Sequence, residues 1–95
     1  MIASYPISYT QEMKYDEVWS YPIDRIREYF SRCGAVSHGS MWLIDEVVIQ
    51  LFAIEDRTIG PISLPQTRVV ITGDNDADVE KVYRAFYLNF LSGGA

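Results

Sequence analysis

Along the first stretch of the chain the odd positions read Tyr5, Ile7, Tyr9, Gln11, Met13, Tyr15, Glu17 and Trp19, mostly apolar. The even positions read Pro6, Ser8, Thr10, Glu12, Lys14, Asp16 and Val18, mostly polar. A period of two is the pattern of an extended strand with two unlike faces. Pro6 lacks the N–H that a central strand donates, so residues 1–19 are expected as an extended arm or a sheet-edge strand.

The period then changes. Ile23, Ile26, Phe30 and Cys33 recur at helical spacing, Pro22 and Asp24 suit a first turn, Ser20 can cap it, and Gly34 supplies a stop. This predicts a helix with Arg25, Arg27, Glu28 and Arg32 on its outer face. Residues 35–44 and 46–54 are rich in β-branched and aromatic types and are separated by Asp45-Glu46, so they are expected to pair as a hairpin. Gly60, Pro61 and Pro65 mark residues 59–66 as a loop, and Thr67–Thr72 predicts a third strand.

Val79, Val82, Tyr83, Phe86, Phe90 and Leu91 form a one-sided helical stripe at the end of the chain. The acidic run Gly73-Asp74-Asn75-Asp76-Ala77-Asp78-Val79-Glu80 is the entry to that helix, with an Asn or Asp cap and carboxylates that favour the positive end of the helix dipole. Its alternate aspartates resemble the start of an EF-hand loop. Val79 stands where that loop needs its turn glycine and Ala85 where it needs its bidentate Glu, so no metal is expected.

The expected fold is therefore α+β. An extended arm (1–19) precedes an α-β-β-β-α core (20–92) and a short tail (93–95), with an antiparallel sheet and both helices on one face. At 95 residues, without internal repeats, residues 1–95 are expected to form a single domain.

Composition narrows the function. Hydrophobic residues at 48% and charged ones at 22% are those of a globular chain. No apolar run approaches the eighteen or so residues of a membrane span, and no membrane association is expected. The single Cys33 cannot form an internal disulfide, which suits the cytoplasm. Thirteen acidic residues against eight basic ones give a net charge of −5, which discourages direct nucleic-acid binding.

The element order over roughly residues 20–92 resembles that of double-stranded RNA-binding domains in topology. Those domains grip phosphates with lysines at the start of the second helix, where this chain has Asp74, Asp76, Asp78 and Glu80, so the resemblance does not extend to RNA binding.

Cys33 and His38 are the only thiol and imidazole. A nucleophile–base pair needs a third group to orient it, and a zinc site needs three or four ligands, so neither is signalled. Asp45-Glu46 and Glu55-Asp56 read as solvated turn carboxylates, no Gly-rich phosphate loop is present, and no cofactor is expected. The terminal Gly93-Gly94 is similar to the diglycine of ubiquitin-like sulfur carriers but follows a helix, and reads as a helix stop.

Seven Tyr, two Trp and four Phe exceed what a small core requires, and Tyr and Trp are favoured in protein interfaces. On the last helix, counting about 100° per residue places Leu88 opposite the apolar stripe, beside Arg84 and Tyr87. Arg84, Tyr87 and Leu88 are the expected interface, with Tyr5 and Tyr9 of the arm as a second one.

The expectation is a small acidic, non-enzymatic protein that works by protein–protein binding: an inhibitor, antitoxin, immunity protein or viral anti-defence factor. Its expected partner is a basic, nucleic-acid-handling protein, and a homodimer is compatible with the sequence. The alternative is a small-molecule-binding or enzymatic α+β subunit with a pocket near His38 and the 59–66 loop, lined by His38, Asp45 or Cys33.

Overall fold

A computed structural model describes residues 13–91. Within them the order is β1 (Met13–Trp19), α1 (Ile23–Arg32), β2 (Val36–His38), β3 (Met41–Ile44), β4 (Val47–Ile59), β5 (Ile62–Gly73) and α2 (Asp76–Leu91). The five strands form one sheet in the order β1-β5-β4-β3-β2, every neighbouring pair antiparallel. The α+β class and the antiparallel sheet agree with the sequence reading. The expected α-β-β-β-α order is corrected to β-α-β-β-β-β-α, which also removes the likeness in element order to double-stranded RNA-binding domains.

The described part of the arm, Met13–Trp19, takes the edge-strand form, one of the two expected, and pairs with Gly73–Thr67. Two differences account for the rest of the change. The apolar segment 35–44 is two strands, because Gly39 has a φ of +62° and turns the chain between His38 and Met41, which pair. The loop expected over 59–66 shrinks to a turn at Gly60-Pro61, since Ile59 and Ile62 pair across it. Pro65 fits within β5 because it lies opposite a bulge formed by Glu55 and Asp56, beyond the reach of β1. Ser63 Oγ donates to Asp56 Oδ2 at 2.9 Å and Gln66 Nε2 donates to the Glu55 carbonyl at 3.0 Å, which satisfies the bulge.

One face of the sheet carries Tyr15 and Trp19 of β1, Val69 and Ile71 of β5, and Val47, Ile49 and Leu51 of β4, and both helices pack there. Helix α1 contributes Ile26, Tyr29 and Phe30, and α2 contributes Val79, Phe86 and Phe90. Phe86 is the hub: it stacks on Phe30 at 5.6 Å and meets Trp19 edge-on at 5.1 Å. Leu91, expected in the inward stripe, is 61% exposed, and Cys33 is exposed rather than inward; the stripes are each one residue shorter than the spacing predicts.

Helix α1 begins at Ile23 with Pro22 at the cap position and no side-chain cap, so Ser20 does not cap it. Thr67, fully buried, instead fixes the approach by donating from Oγ1 to the Tyr21 carbonyl at 2.7 Å. Tyr21 in turn donates its hydroxyl to the Phe90 carbonyl at 2.7 Å, tying the end of α2 to the β1–α1 connection. At its far end α1 closes as expected at Gly34, whose φ is +90°. Ala35 N–H donates to Phe30 O at 3.0 Å and Gly34 N–H to Ser31 O at 3.2 Å, the paired bonds of a Schellman stop.

The acidic run enters α2 as read from the sequence. Asn75 is the cap: its Oδ1 accepts from the Asp78 N–H at 3.0 Å, and Val79 N–H donates to the Asn75 carbonyl at 3.1 Å. The tail and its Gly-Gly, and the N-terminal residues Tyr5 and Tyr9, lie outside the described residues. Among the described residues no helix is long and apolar enough to cross a membrane.

Candidate functional site

The most distinctive grouping of side chains lies where the edge strand β1 passes under the flank of α2. Period-two alternation sends Tyr15, Glu17 and Trp19 toward the helices. Helical spacing sets Glu80, Tyr83, Arg84, Tyr87 and Leu88 along one side of α2, because they follow as i, i+3, i+4, i+7 and i+8. The two rows meet in an open groove of about 440 Å³ lined by Tyr15, Glu80, Tyr83, Arg84, Tyr87 and Leu88.

Aromatic rings form its floor. Tyr15 and Tyr83 stack with centroids 3.8 Å apart and planes within 1°. Tyr87 leans on Tyr83 at 5.9 Å and meets Trp19 edge-on at 5.8 Å. Tyr83 is fixed from its polar end: its hydroxyl donates to the Glu17 carboxylate, 2.9 and 3.0 Å from the two oxygens. Burial, followed by that carboxylate, pushes the Tyr83 hydroxyl up to about 12, so it stays a donor at every physiological pH. On the rim Arg84 and Glu80 form an ion pair at 2.7 Å, both largely exposed. Tyr87 and Leu88 stand at 38% and 58% exposure. The surface is rigid beneath and apolar above, with charge at one edge.

Three of the five interface residues expected from sequence, Arg84, Tyr87 and Leu88, line this groove together. Tyr15, Glu17, Trp19 and Tyr83 were missed as members. The available signal was Glu17: a carboxylate on the inward side of a strand between Tyr15 and Trp19 needs a donor, and the tyrosines at i and i+4 on the last helix supply one.

The residues with chemical potential are arranged differently. A smaller, mostly apolar cavity of about 120 Å³ between α1, α2 and the β3–β4 turn is lined by residues that include Tyr29, Cys33, Asp45 and Lys81. Burial and the neighbouring Cys33 raise the Tyr29 hydroxyl well above its ordinary value. His38 does not line this cavity. It is exposed on β2, opposite Met41, and residues 59–66 form the tip of the β4–β5 hairpin. Asp45 and Glu46 are exposed at a two-residue turn with φ of 48° and 65°. Glu55 and Asp56 are taken up by the bulge. Among the described residues no three His, Cys, Asp or Glu side chains converge as a metal site.

Compared with known protein families and with curated proteins, the chain matches none.

Proposed function

We propose that this protein acts without catalysis, by binding another protein at the groove between β1 and α2. The observation that carries this reading is the Tyr15–Tyr83–Tyr87 cluster, which places aromatic surface beside the exposed Leu88 and the Arg84–Glu80 pair rather than inside the core. Tyr, Trp and Arg presented on a rigid floor are the residue types that dominate binding energy in protein interfaces.

Charge indicates the kind of partner. Asp74 and Asp76 at the start of α2 and Glu80 on the rim are exposed, so the surface leading into the groove is anionic. A basic protein, such as one that handles nucleic acid, would be steered to it. An inhibitor, antitoxin, immunity protein or viral anti-defence factor working in the cytoplasm fits these properties. The small-molecule alternative has less support, because the cavity beside Cys33 and Asp45, at about 120 Å³, falls below the ~300 Å³ at which ligand pockets usually begin.

The test compares the unaltered chain with Leu88→Glu and Tyr87→Ala in affinity capture from a host lysate at low and high salt. The unaltered chain should retain a basic protein at low salt that Leu88→Glu loses. The Leu88→Glu chain itself should unfold at nearly the same temperature, since surface substitutions usually change stability by only about 0.5 kcal/mol. Equal retention by all three chains would remove the groove from the interaction.

A further inference from the structure

The face of the sheet turned away from the helices does not read as a solvated face. Row by row across the strands it carries Val36, Leu43 and Val48 with Thr72 and Lys14, then Met41 and Val70 with His38, Gln50 and Asp16, then Val18 and Phe52 with Arg68, then Ile54 with Gln66. Strand β4 is apolar on both sides, from Val47 to Ile54, with Gln50 the one polar side chain. Antiparallel strands with one wet face alternate, whereas near-continuous apolar runs belong to strands covered on both sides. The described residues cover only one. Val18 is 51%, Val36 58%, Phe52 39% and Ile54 38% exposed, while Met41, Leu43 and Val48 are half-buried and the central Val70 is buried.

We infer that this open face is covered by the same face of a second copy, giving a two-fold dimer of packed sheets. Charge distribution favours a copy of this chain over a basic target. Of the acidic residues among those described, Asp16 alone sits among these rows, and Arg68 closes it with two bonds of 2.9 and 2.6 Å. Lys14 and Arg68 are the bases of the same rows, and the Arg68 guanidinium also lies 5.6 Å from the centre of the Phe52 ring. Two chains of net charge −5 repel through most of their surface. Here they meet across an apolar field whose one carboxylate is already neutralised.

Area is compatible with the same occupant. The strands shorten across the sheet from seven residues in β1 to four in β3 and three in β2, so at about 4.8 Å between strands and about 3.4 Å per residue the paired parts present a field of about 450 Å². Beyond Phe52 and Arg68 the β4–β5 hairpin continues alone, since β3 pairs with β4 only at residues 47–50 and β1 with β5 only at 67–73. This free arm adds about 10 by 20 Å, for a total of about 650 Å², at the lower end of the ~600 to 1,000 Å² per partner of standard stable interfaces. Two-stranded hairpins are marginal in water by themselves, and this one exposes Ile59 at 50% and Ile62 at 55% at its tip. In a two-fold pairing of self-complementary faces each arm lies against the partner, which supplies the missing layer.

Sedimentation velocity on the full chain over about 1 to 200 µM tests this, with Phe52→Glu and Val36→Lys at opposite ends of the field. Both sites are exposed, and circular dichroism checks that each variant keeps its fold. The unaltered chain should sediment at twice the chain mass, and each variant should raise the dimer dissociation constant by about tenfold or more. Leu88→Glu should leave it unchanged, which separates this interface from the groove. A chain that stays monomeric to the highest concentration overturns the inference. So does a dimer indifferent to both variants or broken by Leu88→Glu. A monomer whose face binds a hydrophobic dye only after removal of residues 1–12 would overturn it as well, by assigning the cover to the chain's own beginning.

Discussion

Gly73 sits at the end of β5 directly beneath the first turn of α2, and Gly73→Ala measures how closely that helix is seated. A Cβ built there would lie 2.8 Å from Val79 Cγ2, 3.4 Å from the Glu46 carbonyl oxygen and 3.6 Å from Val47 Cα. Val79 is fully buried, and a β-branched side chain in a helix has one strongly preferred rotamer, so the methyl cannot swing aside. The start of α2 must lift instead. Overpacking of this kind costs about 1 to 3 kcal/mol. Replacing glycine in a strand by alanine returns about 0.5 to 1 kcal/mol of backbone entropy, leaving a net loss of about 0.5 to 2 kcal/mol. Val79→Ala alone should cost about 2 to 3 kcal/mol, from two buried methyl groups and the space they vacate. In the double variant the clashing atom is gone, so its total should be no larger than that of Val79→Ala alone, a coupling of about 1 kcal/mol or more. Urea unfolding followed by circular dichroism gives all three values, provided the slopes agree. A neutral Gly73→Ala, or costs that simply add, would refute the close seating of α2.

Two further substitutions address the helix entry and the groove. Asn75→Ala removes the cap seen at the start of α2 and should destabilise by about 1 kcal/mol; millimolar calcium should raise the melting temperature of the unaltered chain no more than magnesium does. A large calcium-specific rise would contradict the cap reading. Tyr83 ionises near 10 in the unfolded chain but near 12 when folded, so its contribution is complete below pH 10 and is lost as the pH climbs from 10 to 12. Tyr83→Phe should therefore flatten part of the alkaline decline in urea midpoints between pH 9 and 12, with Tyr29 sustaining the remainder. Parallel curves for the two chains would mean that neither burial nor the Glu17 bond raises the Tyr83 hydroxyl.

Local signals carried the helices and most of the sheet. Gly34 and Asn75 act at short range, through φ and through one side-chain oxygen, and both could be read from spacing alone. The phase of α2 is legible in its spacing, which alone puts Arg84, Tyr87 and Leu88 on one side of the helix. What sequence could not show was pairing. Pro65 looks like a loop residue until the bulge at Glu55 and Asp56 faces it, and Ser20 looks like a cap although the helix starts after Pro22 and its approach is held by Thr67, distant in the chain, donating to the Tyr21 carbonyl. Tyr15 and Glu17 gain their role in the groove only because β1 joins the sheet at the strand beneath α2.

That placement of β1 sets an order on folding during synthesis. The strands β2 to β5 form a meander of hairpins, each pairing with its immediate neighbour in the chain, and such contacts close within microseconds. Strand β1 is made before any of them, yet its partner is β5, with Trp19 against Thr67 and Met13 against Gly73. At about 5 to 20 residues per second the first strand waits several seconds for the last to appear. Its inward row meets α2 only when that helix is present as well, so the stacking of Tyr15 on Tyr83 needs β1, β5 and α2 together. A nascent chain halted short of α2 has no groove, whatever else it has already formed.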